Sequence, residues 1–141
     1  MIKNVSRILI NSTTKKVWDA ITLPEYVKQW QYGSDLLTTW MVGTEIRFIT
    51  KWNEQIFEQW GKVIEFIPEK KIKYTLFAPR EGLIDVPENY FTMIYELISK
   101  NDHIELIITQ EDKRENADQE EEQGEANPIL IQLKEIIAHI K

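Results

Sequence analysis

Side chains that commonly carry catalysis are few in this sequence of 141 residues. The chain has no cysteine and only two histidines, His103 at a predicted hairpin and His139 on the polar side of a predicted helix. Without thiolates or grouped histidines, neither a thiol nucleophile nor a metal site is expected. No phosphate-binding glycine loop or nucleophile elbow occurs among the five glycines. The sequence therefore predicts no catalytic residue, no metal and no cofactor.

Three charged residues within predicted strands are the remaining chemical candidates. Arg47, Glu65 and Glu96 would orient a polar head group or act as a base if they faced inward. Charged side chains on strands more commonly face solvent. An enzyme of the cyclase or hydrolase kind, using an inward carboxylate, is therefore the weakest alternative, and a non-enzymatic role is favoured.

The charge of the chain is concentrated in one segment. The formal net charge is −6, and residues 111–126 contain eight acids and two bases, which leaves the rest of the chain balanced. A balanced body without a lysine and arginine stripe does not predict nucleic-acid binding. Because runs of like charge repel and contain no core-forming side chains, this segment is predicted to be a flexible acidic loop.

Length and hydrophobic patterning predict one soluble domain over residues 1–141. No apolar run approaches the roughly 18 residues that a membrane span needs, and no signal peptide is predicted. The lack of cysteine removes any need for an oxidising compartment. A cytoplasmic location is expected.

The first part of the chain predicts a strand followed by two short helices. Residues 4–11 are rich in β-branched side chains, and Pro24 separates two amphipathic patterns that contain Trp18 and Trp30. Helices this short are marginal in water. Their stability must come from packing the tryptophan rings against the rest of the domain.

The middle of the chain changes to a period of two, which predicts antiparallel strands. In residues 44–52, Ile46, Phe48, Thr50 and Trp52 share one face. Further strands are predicted at residues 56–67, 71–78, 89–99 and 103–110. The loop at residues 79–88 is long enough to cover a mouth or an edge of the sheet.

A capped helix is predicted at the end of the chain. Asn127 and Pro128 form its start, and the apolar residues of its buried face are Ile129, Leu133, Ile136, Ile137 and Ile140. The element order is that of an α+β helix-grip fold. In this fold a curved antiparallel sheet wraps around a long terminal helix, and two short helices follow the first strand.

Several motifs resemble those of a known family. They are VWDAITLPEYVKQW at residues 17–30, WMVGTEIRF at 40–48, GKVIEFIPEKKIKYT at 61–75, ELIITQ at 105–110 and the terminal LKEII. The chain resembles the homologues of the activator of the heat-shock protein 90 ATPase, within the START-like, or SRPBCC, superfamily. The resemblance extends over nearly the whole chain.

The resemblance implies an elongated cavity between the sheet and the terminal helix. Several branches of similar proteins hold apolar small molecules there, so the first functional expectation is a non-enzymatic protein that binds an apolar or amphipathic small molecule, such as a lipid. The alternative is a chaperone-associated protein of the stress response. Either a monomer or a homodimer is compatible with the sequence.

Eight residues are predicted to converge on this cavity. They are Trp30, Trp40, Phe48, Trp52, Tyr74, Leu133, Ile136 and Ile140. An inward tyrosine hydroxyl at Tyr74 would need a polar partner, which a ligand could supply. The alternative is a filled interior in which the same rings are ordinary core.

Overall fold

The computed structural model describes residues 1–141 and contains seven strands, three α-helices and one short 3₁₀ helix. The strands are β1 (Ile2–Ile10), β2 (Asp35–Thr38), β3 (Glu45–Trp52), β4 (Gln55–Ile67), β5 (Lys71–Leu76), β6 (Phe91–Lys100) and β7 (His103–Asp112). The helices are α1 (Thr14–Thr22), α2 (Pro24–Trp30) and α3 (Pro128–Ala138), and the 3₁₀ helix is Pro87–Asn89. This order confirms the predicted helix-grip class.

The two short helices are held at a sharp bend. The Thr13 hydroxyl accepts a hydrogen bond from the Lys16 backbone N–H at 3.2 Å and so caps α1. Leu23 has an extended backbone between the helices, and Pro24 occupies the first turn of α2. The Trp30 indole donates to the Ala20 carbonyl at 2.8 Å. This bond fixes α2 against α1 and directs the Trp30 ring inward.

The strands form one antiparallel sheet in the order β1-β7-β6-β5-β4-β3-β2. The first strand pairs with the last, from Ile2 opposite Asp112 to Ile10 opposite Ile104. Strand β2, which the sequence analysis did not predict, is a four-residue edge strand. Alternate side chains of the strands point from the concave face of the sheet towards α3. The main apolar core lies between this face and the helices.

A close approach of two backbones bends the sheet at Gly61. A Cβ atom at Gly61 would lie 1.7 Å from the Thr75 carbonyl oxygen, so no other residue fits the position. Just beyond it, the pairing of β4 with β5 shifts register between Val63 and Glu65. Such an irregularity increases local twist and bending. It is one source of the curvature that makes room between the sheet and α3.

The acidic segment lies against the outer edge of β1. In what we call the acidic strap, residues 113–126, the Gln123 N–H donates to the Val5 carbonyl at 3.0 Å, and the Arg7 N–H donates to the Gln123 carbonyl at 2.9 Å. Arg7 also pairs with Glu122 at 3.0 Å. The sequence predicted a flexible acidic loop over residues 111–126; residues 111 and 112 end β7, and the rest of the segment contacts the sheet edge.

The terminal helix begins where the sequence predicted. The Asn127 side-chain oxygen accepts from the backbone N–H groups of Ile129 at 2.9 Å and Leu130 at 3.2 Å. Pro128 follows at the first helical position. With 11 residues α3 is the longest helix, and no helix of the chain has the length and apolar character to cross a membrane.

Candidate functional site

A cavity of about 450 Å³ lies between the concave face of the sheet, the end of α2 and the first turn of α3. Nineteen residues line it: twelve come from the strands other than β2, and seven come from the end of α2, the loop that follows it and the start of α3. Its apolar and aromatic lining residues are Trp30, Tyr32, Phe48, Phe57, Tyr74, Leu76, Phe91, Met93, Tyr95, Ile108, Ile129 and Leu130. The domain therefore has an imperfectly filled interior between the sheet and the helices.

Three of the eight predicted site residues line this cavity. Trp30, Phe48 and Tyr74 are at most 7% exposed and share the cavity wall. Trp30 reaches it from the end of α2, while Phe48 and Tyr74 reach it from the inward phases of β3 and β5.

Trp40 lies beside the cavity without lining it. Its indole donates to the Thr22 carbonyl at 3.0 Å. Its ring packs against Phe66, with centroids 5.6 Å apart, and against Tyr74 at 6.2 Å. The backbone φ of Trp40 is 60°, a left-handed conformation that is uncommon for an aromatic residue. Trp40 thus packs between the end of α1 and the back of the cavity wall.

Trp52 does not contribute to the site. Its side chain is 67% exposed because it lies next to the β3–β4 turn, opposite Gln55. Asn53 and Glu54 form that turn with φ values of 48° and 66°, the left-handed pair typical of a two-residue hairpin. The period of two placed Trp52 on the correct side of the strand but could not show that this end of the hairpin extends beyond the covered part of the sheet.

Leu133, Ile136 and Ile140 are buried core residues and not part of the cavity wall. Their exposed fractions are 0%, 8% and 8%, and the helix contacts both α1 and α2. The first turn of α3 faces the cavity instead, through Ile129 and Leu130. Leu133, Ile136 and Ile137 of the predicted face are buried within α3, whereas Ile140 lies beyond its last residue, Ala138. The sequence did not predict that Leu130 is buried or that the first turn borders the cavity.

The polar lining of the cavity is uncharged. It consists of amides and hydroxyls, from Ser6, Gln31, Ser34, Thr50, Gln59, Gln110 and Asn127. No Asp, Glu, Lys, Arg or His lines the cavity. None of these residues was predicted from the sequence, although Gln59 and Gln110 fall in the same inward phase as Phe57 and Ile108.

Two buried tyrosines form the polar centre of the wall. The Tyr74 hydroxyl donates to the Tyr95 hydroxyl at 3.4 Å, and their rings stack with centroids 6.0 Å apart. Burial raises the pKa of Tyr74 well above its ordinary value. Burial also raises the pKa of Tyr95, against the opposing effect of hydrogen bonds from Tyr74 and Gln31. Both hydroxyls therefore stay neutral at physiological pH and remain available as hydrogen-bonding groups.

The charged residues considered as catalytic candidates lie outside the cavity. Arg47 pairs with Glu58 at 2.6 Å and with Glu45 at 3.2 Å. Glu65 pairs with Lys71 at 3.4 Å. Glu96 lies between Tyr95 and Leu97, both buried, on the opposite face of β6.

The histidines also lie outside it. The His139 ring nitrogen Nδ1 is 2.8 Å from the Glu135 carbonyl at the end of α3, and His103 begins β7. No three His, Asp or Glu side chains are grouped so that they could hold a metal ion.

Comparison with known proteins identifies the family to which the sequence is similar. The sequence model of the family described as Activator of Hsp90 ATPase homolog 1-like protein matches residues 11–138. No curated protein gives a significant sequence match.

Solved structures share the fold over most of the chain. A solution structure of a Cytophaga hutchinsonii protein is 27% identical with a TM-score of 0.69, covering 79% of this chain and 77% of that one. The solution structure of the Aha1 dimer from Colwellia psychrerythraea is 20% identical with a TM-score of 0.61, covering 84% and 81%. A crystal structure of a Nitrosomonas europaea protein is 17% identical with a TM-score of 0.75, covering 99% and 96%.

Proposed function

The chain belongs to the family of activator of Hsp90 ATPase homolog 1-like proteins, and from this premise we propose that it binds a small, uncharged, largely apolar molecule in the cavity without transforming it. The observation that carries the proposal is a cavity of about 450 Å³ whose lining is aromatic, aliphatic, amide and hydroxyl throughout. This volume falls within the range of about 300 to 1,000 Å³ typical of small-molecule sites.

The absence of charged side chains in the lining favours an uncharged ligand. Moving an ion out of water costs several kcal/mol unless an opposite charge or a set of hydrogen bonds compensates it. The cavity offers no opposite charge for either an anion or a cation. It offers neutral donors and acceptors, among which the hydroxyls of Tyr74 and Tyr95 are buried. A ligand with an apolar body and one or two hydroxyl, carbonyl or amide groups matches this arrangement.

The same lining supports binding over catalysis. General acid-base chemistry requires a group whose pKa lies near the working pH. The buried tyrosines have pKa values raised away from neutrality, and the remaining polar groups are amides and alcohols. These groups can hold and orient a ligand, but none is suited to accept or release a proton near neutral pH.

The binding experiment compares two tryptophan substitutions on α3. Ile129 lines the cavity and is half-buried, so Ile129→Trp would place an indole in the empty space. Ile131 is 43% exposed on another side of the same helix, which makes Ile131→Trp the matched control. Neutral Nile red and anionic anilinonaphthalene sulfonate are titrated into each protein, and fluorescence measures the dissociation constant.

We expect wild type and Ile131→Trp to bind Nile red with similar affinity, and Ile129→Trp to bind it at least about tenfold more weakly. The anionic dye should bind the cavity more weakly than the neutral one. Unfolding by urea shows whether Ile129→Trp is folded. If wild type shows no saturable binding of Nile red, or if Ile129→Trp binds like the control, the proposed function is wrong.

A second candidate is contact with an Hsp90-type chaperone or with another copy of this chain. The family description and the dimeric Colwellia neighbour support it. Exposed apolar side chains beside edge strand β2 support it further, since Leu37, Met41 and Val42 are 53%, 66% and 62% exposed. We expect Leu37→Lys to reduce self-association in light scattering. A wild-type protein that stays monomeric at high concentration and does not bind purified Hsp90 would exclude this candidate.

A further inference from the structure

A second cavity, of about 610 Å³, lies on the face of the sheet turned away from α3. The floor of this cavity has only small side chains, because Gly61, Thr75 and Thr92 lie next to one another on β4, β5 and β6. We call it the convex groove. Because the first cavity lies on the opposite face of the same strands, the two sites are separated by the sheet and would bind independently.

One wall of the convex groove is aromatic and is fixed by a shared carboxylate. Asp85 accepts hydrogen bonds from the Trp60 indole at 3.0 Å and from the Tyr90 hydroxyl at 2.6 Å. The Phe77 ring lies between them, 5.5 Å from Trp60 and 5.4 Å from Tyr90. The bonds to Asp85 lower its pKa, and burial with the same hydrogen bond raises the pKa of Tyr90 to about 12. The loop that contains Asp85 is thereby held against the sheet.

Some of the charged side chains around the convex groove form ion pairs within the protein, and others do not. Its lining contains Arg47, Lys62 and Lys113, together with the carboxylates Glu45 and Asp85. Arg47 is paired with Glu45 and Glu58, and its guanidinium carbon lies 5.2 Å from the Trp60 ring centre. Asp85 has no ion pair and keeps its negative charge, because its two hydrogen-bond donors are neutral and lower its pKa.

The two lysines, in contrast, have no carboxylate partner. The ten ion pairs of the structure include neither Lys62 nor Lys113. The convex groove therefore keeps two free ammonium groups in a molecule whose net charge is −6. The charged lining has three basic and two acidic side chains, a formal balance of +1, and neither lysine forms an ion pair with Glu45 or Asp85.

Two hydroxyls can complete an anion site beside these lysines. The hydroxyl oxygen of Thr75 accepts a hydrogen bond from the Lys62 backbone N–H at 3.2 Å, so the hydroxyl proton of Thr75 is free to be donated to a ligand. Thr92 is the cross-strand neighbour of Thr75 and also lines the convex groove. Ammonium and hydroxyl donors arranged around a hollow of this kind are suited to carboxylate or phosphate oxygens.

We propose that the convex groove binds a small organic anion, a carboxylate or phosphate group on a flat aromatic body, with Lys62 and Lys113 on the anionic group and Trp60 and Tyr90 against the ring. The lysines supply attraction that salt screens. The aromatic wall supplies apolar area that inorganic ions cannot use. Phenyl phosphate and benzoate should therefore bind more tightly than inorganic phosphate. Uncharged phenol should bind more weakly than phenyl phosphate or benzoate.

The test is a titration followed by amide chemical shifts and calorimetry. Phenyl phosphate, benzoate, inorganic phosphate and phenol are added separately to wild type and to Lys62→Gln, Lys113→Gln and Lys51→Gln. Lys51 is a suitable control because it lies on the same strand face as Arg47 but outside the convex groove. Binding to the proposed site should move the amides of Gly61, Thr75 and Thr92 together.

We expect each groove variant to weaken binding of the better aromatic anion about tenfold, with Lys51→Gln unchanged and with affinity falling as salt rises. Tighter binding of phenyl phosphate identifies phosphate as the preferred group, and tighter binding of benzoate identifies carboxylate. Absence of saturable binding to wild type, or equal affinities in Lys62→Gln, Lys113→Gln and wild type, would overturn the proposal. Urea unfolding followed by circular dichroism shows that the variants are folded, so the result does not depend on whether the first cavity binds Nile red.

Discussion

Replacing Gly61 with alanine should strongly destabilise the sheet, because strands β4 and β5 approach most closely there. The added Cβ would lie 1.7 Å from the Thr75 carbonyl oxygen and 2.4 Å from its carbon. Ordinary contact begins at 3.4 Å, so the Thr75 backbone would have to retreat by about 1.7 Å. Backbone cannot move aside as a flexible side chain can, and the displacement must separate the two strands.

The expected cost follows from what that separation breaks. The Trp60 and Phe77 backbones exchange two hydrogen bonds next to Gly61, at 3.2 Å and 2.7 Å, each worth about 1 kcal/mol net. Overpacking adds about 1 to 3 kcal/mol. The sum is about 3 to 5 kcal/mol, from a total stability that for a domain of this kind is about 5 to 15 kcal/mol. The melting temperature should fall by about 10 to 20 °C.

Urea and thermal unfolding followed by circular dichroism measure this effect. Gly124→Ala is the matched control, because its Cβ would meet only the Arg7 carbonyl oxygen at an ordinary 3.4 Å, and it should change stability by no more than about 0.5 kcal/mol. If Gly61→Ala lies within about 1 kcal/mol of wild type with an unchanged denaturant slope, the strands can separate at little cost and the reasoning from the close approach is wrong.

The remaining predictions concern titration and burial. The pKa of Asp112 is lowered chiefly by side-chain hydrogen bonds from Arg114 at 2.6 and 2.8 Å. The variant Asp112→Asn loses part of this interaction and should be less stable than wild type by about 1 to 3 kcal/mol at pH 7. Because the folded pKa lies below the unfolded one, this difference should shrink as pH falls below about 4; a gap in urea unfolding that persists at lower pH would contradict the assignment. Tyrosinate absorbance should titrate identically in wild type and Tyr74→Phe until the protein unfolds, since burial raises the pKa of Tyr74, and a missing step near pH 10 in the variant would show that Tyr74 is accessible. Trp52→Ala should change the unfolding free energy by no more than about 0.5 kcal/mol because Trp52 is 67% exposed, whereas Trp30→Ala, at 5% exposure, should cost about 3 to 5 kcal/mol; equal effects would contradict the difference in burial.

Periodicity predicted the α-helices and the strands other than β2 and, for the cavity that the family resemblance implies, three of the side chains that line it. Alternation along β3 and β5 placed Phe48 and Tyr74 on the inward face, and the arc of α2 placed Trp30 there. A repeat reports which face a side chain occupies but not how far the covering helices extend along it. This is why Trp52, on the correct side of its strand, is exposed at the hairpin end.

The parts that could not be predicted depend on contacts distant in sequence. Which turn of α3 borders the cavity depends on where the helix crosses the sheet, and no local pattern in Ile129 or Leu133 records that position. The attachment of the acidic strap to β1 rests on the Asn4 side chain as well as on Arg7: the Glu120 backbone donates to the Asn4 side-chain oxygen at 2.8 Å. A charge run in the sequence gives no sign of such a partner more than a hundred residues away.

The pairing of β1 with β7 has a consequence during synthesis. Ile10 lies opposite Ile104 in the finished sheet, so β1 emerges from the ribosome long before its partner strand exists. At about 5 to 20 residues per second, an interval of roughly 100 residues keeps β1 unpaired for about 5 to 20 seconds. Its inward side chains Ile8 and Ile10, each 2% exposed in the folded protein, remain open to solvent and to other nascent chains over that time. The newly made chain is therefore expected to depend on ribosome-associated chaperones more than a protein whose strands pair in the order of synthesis.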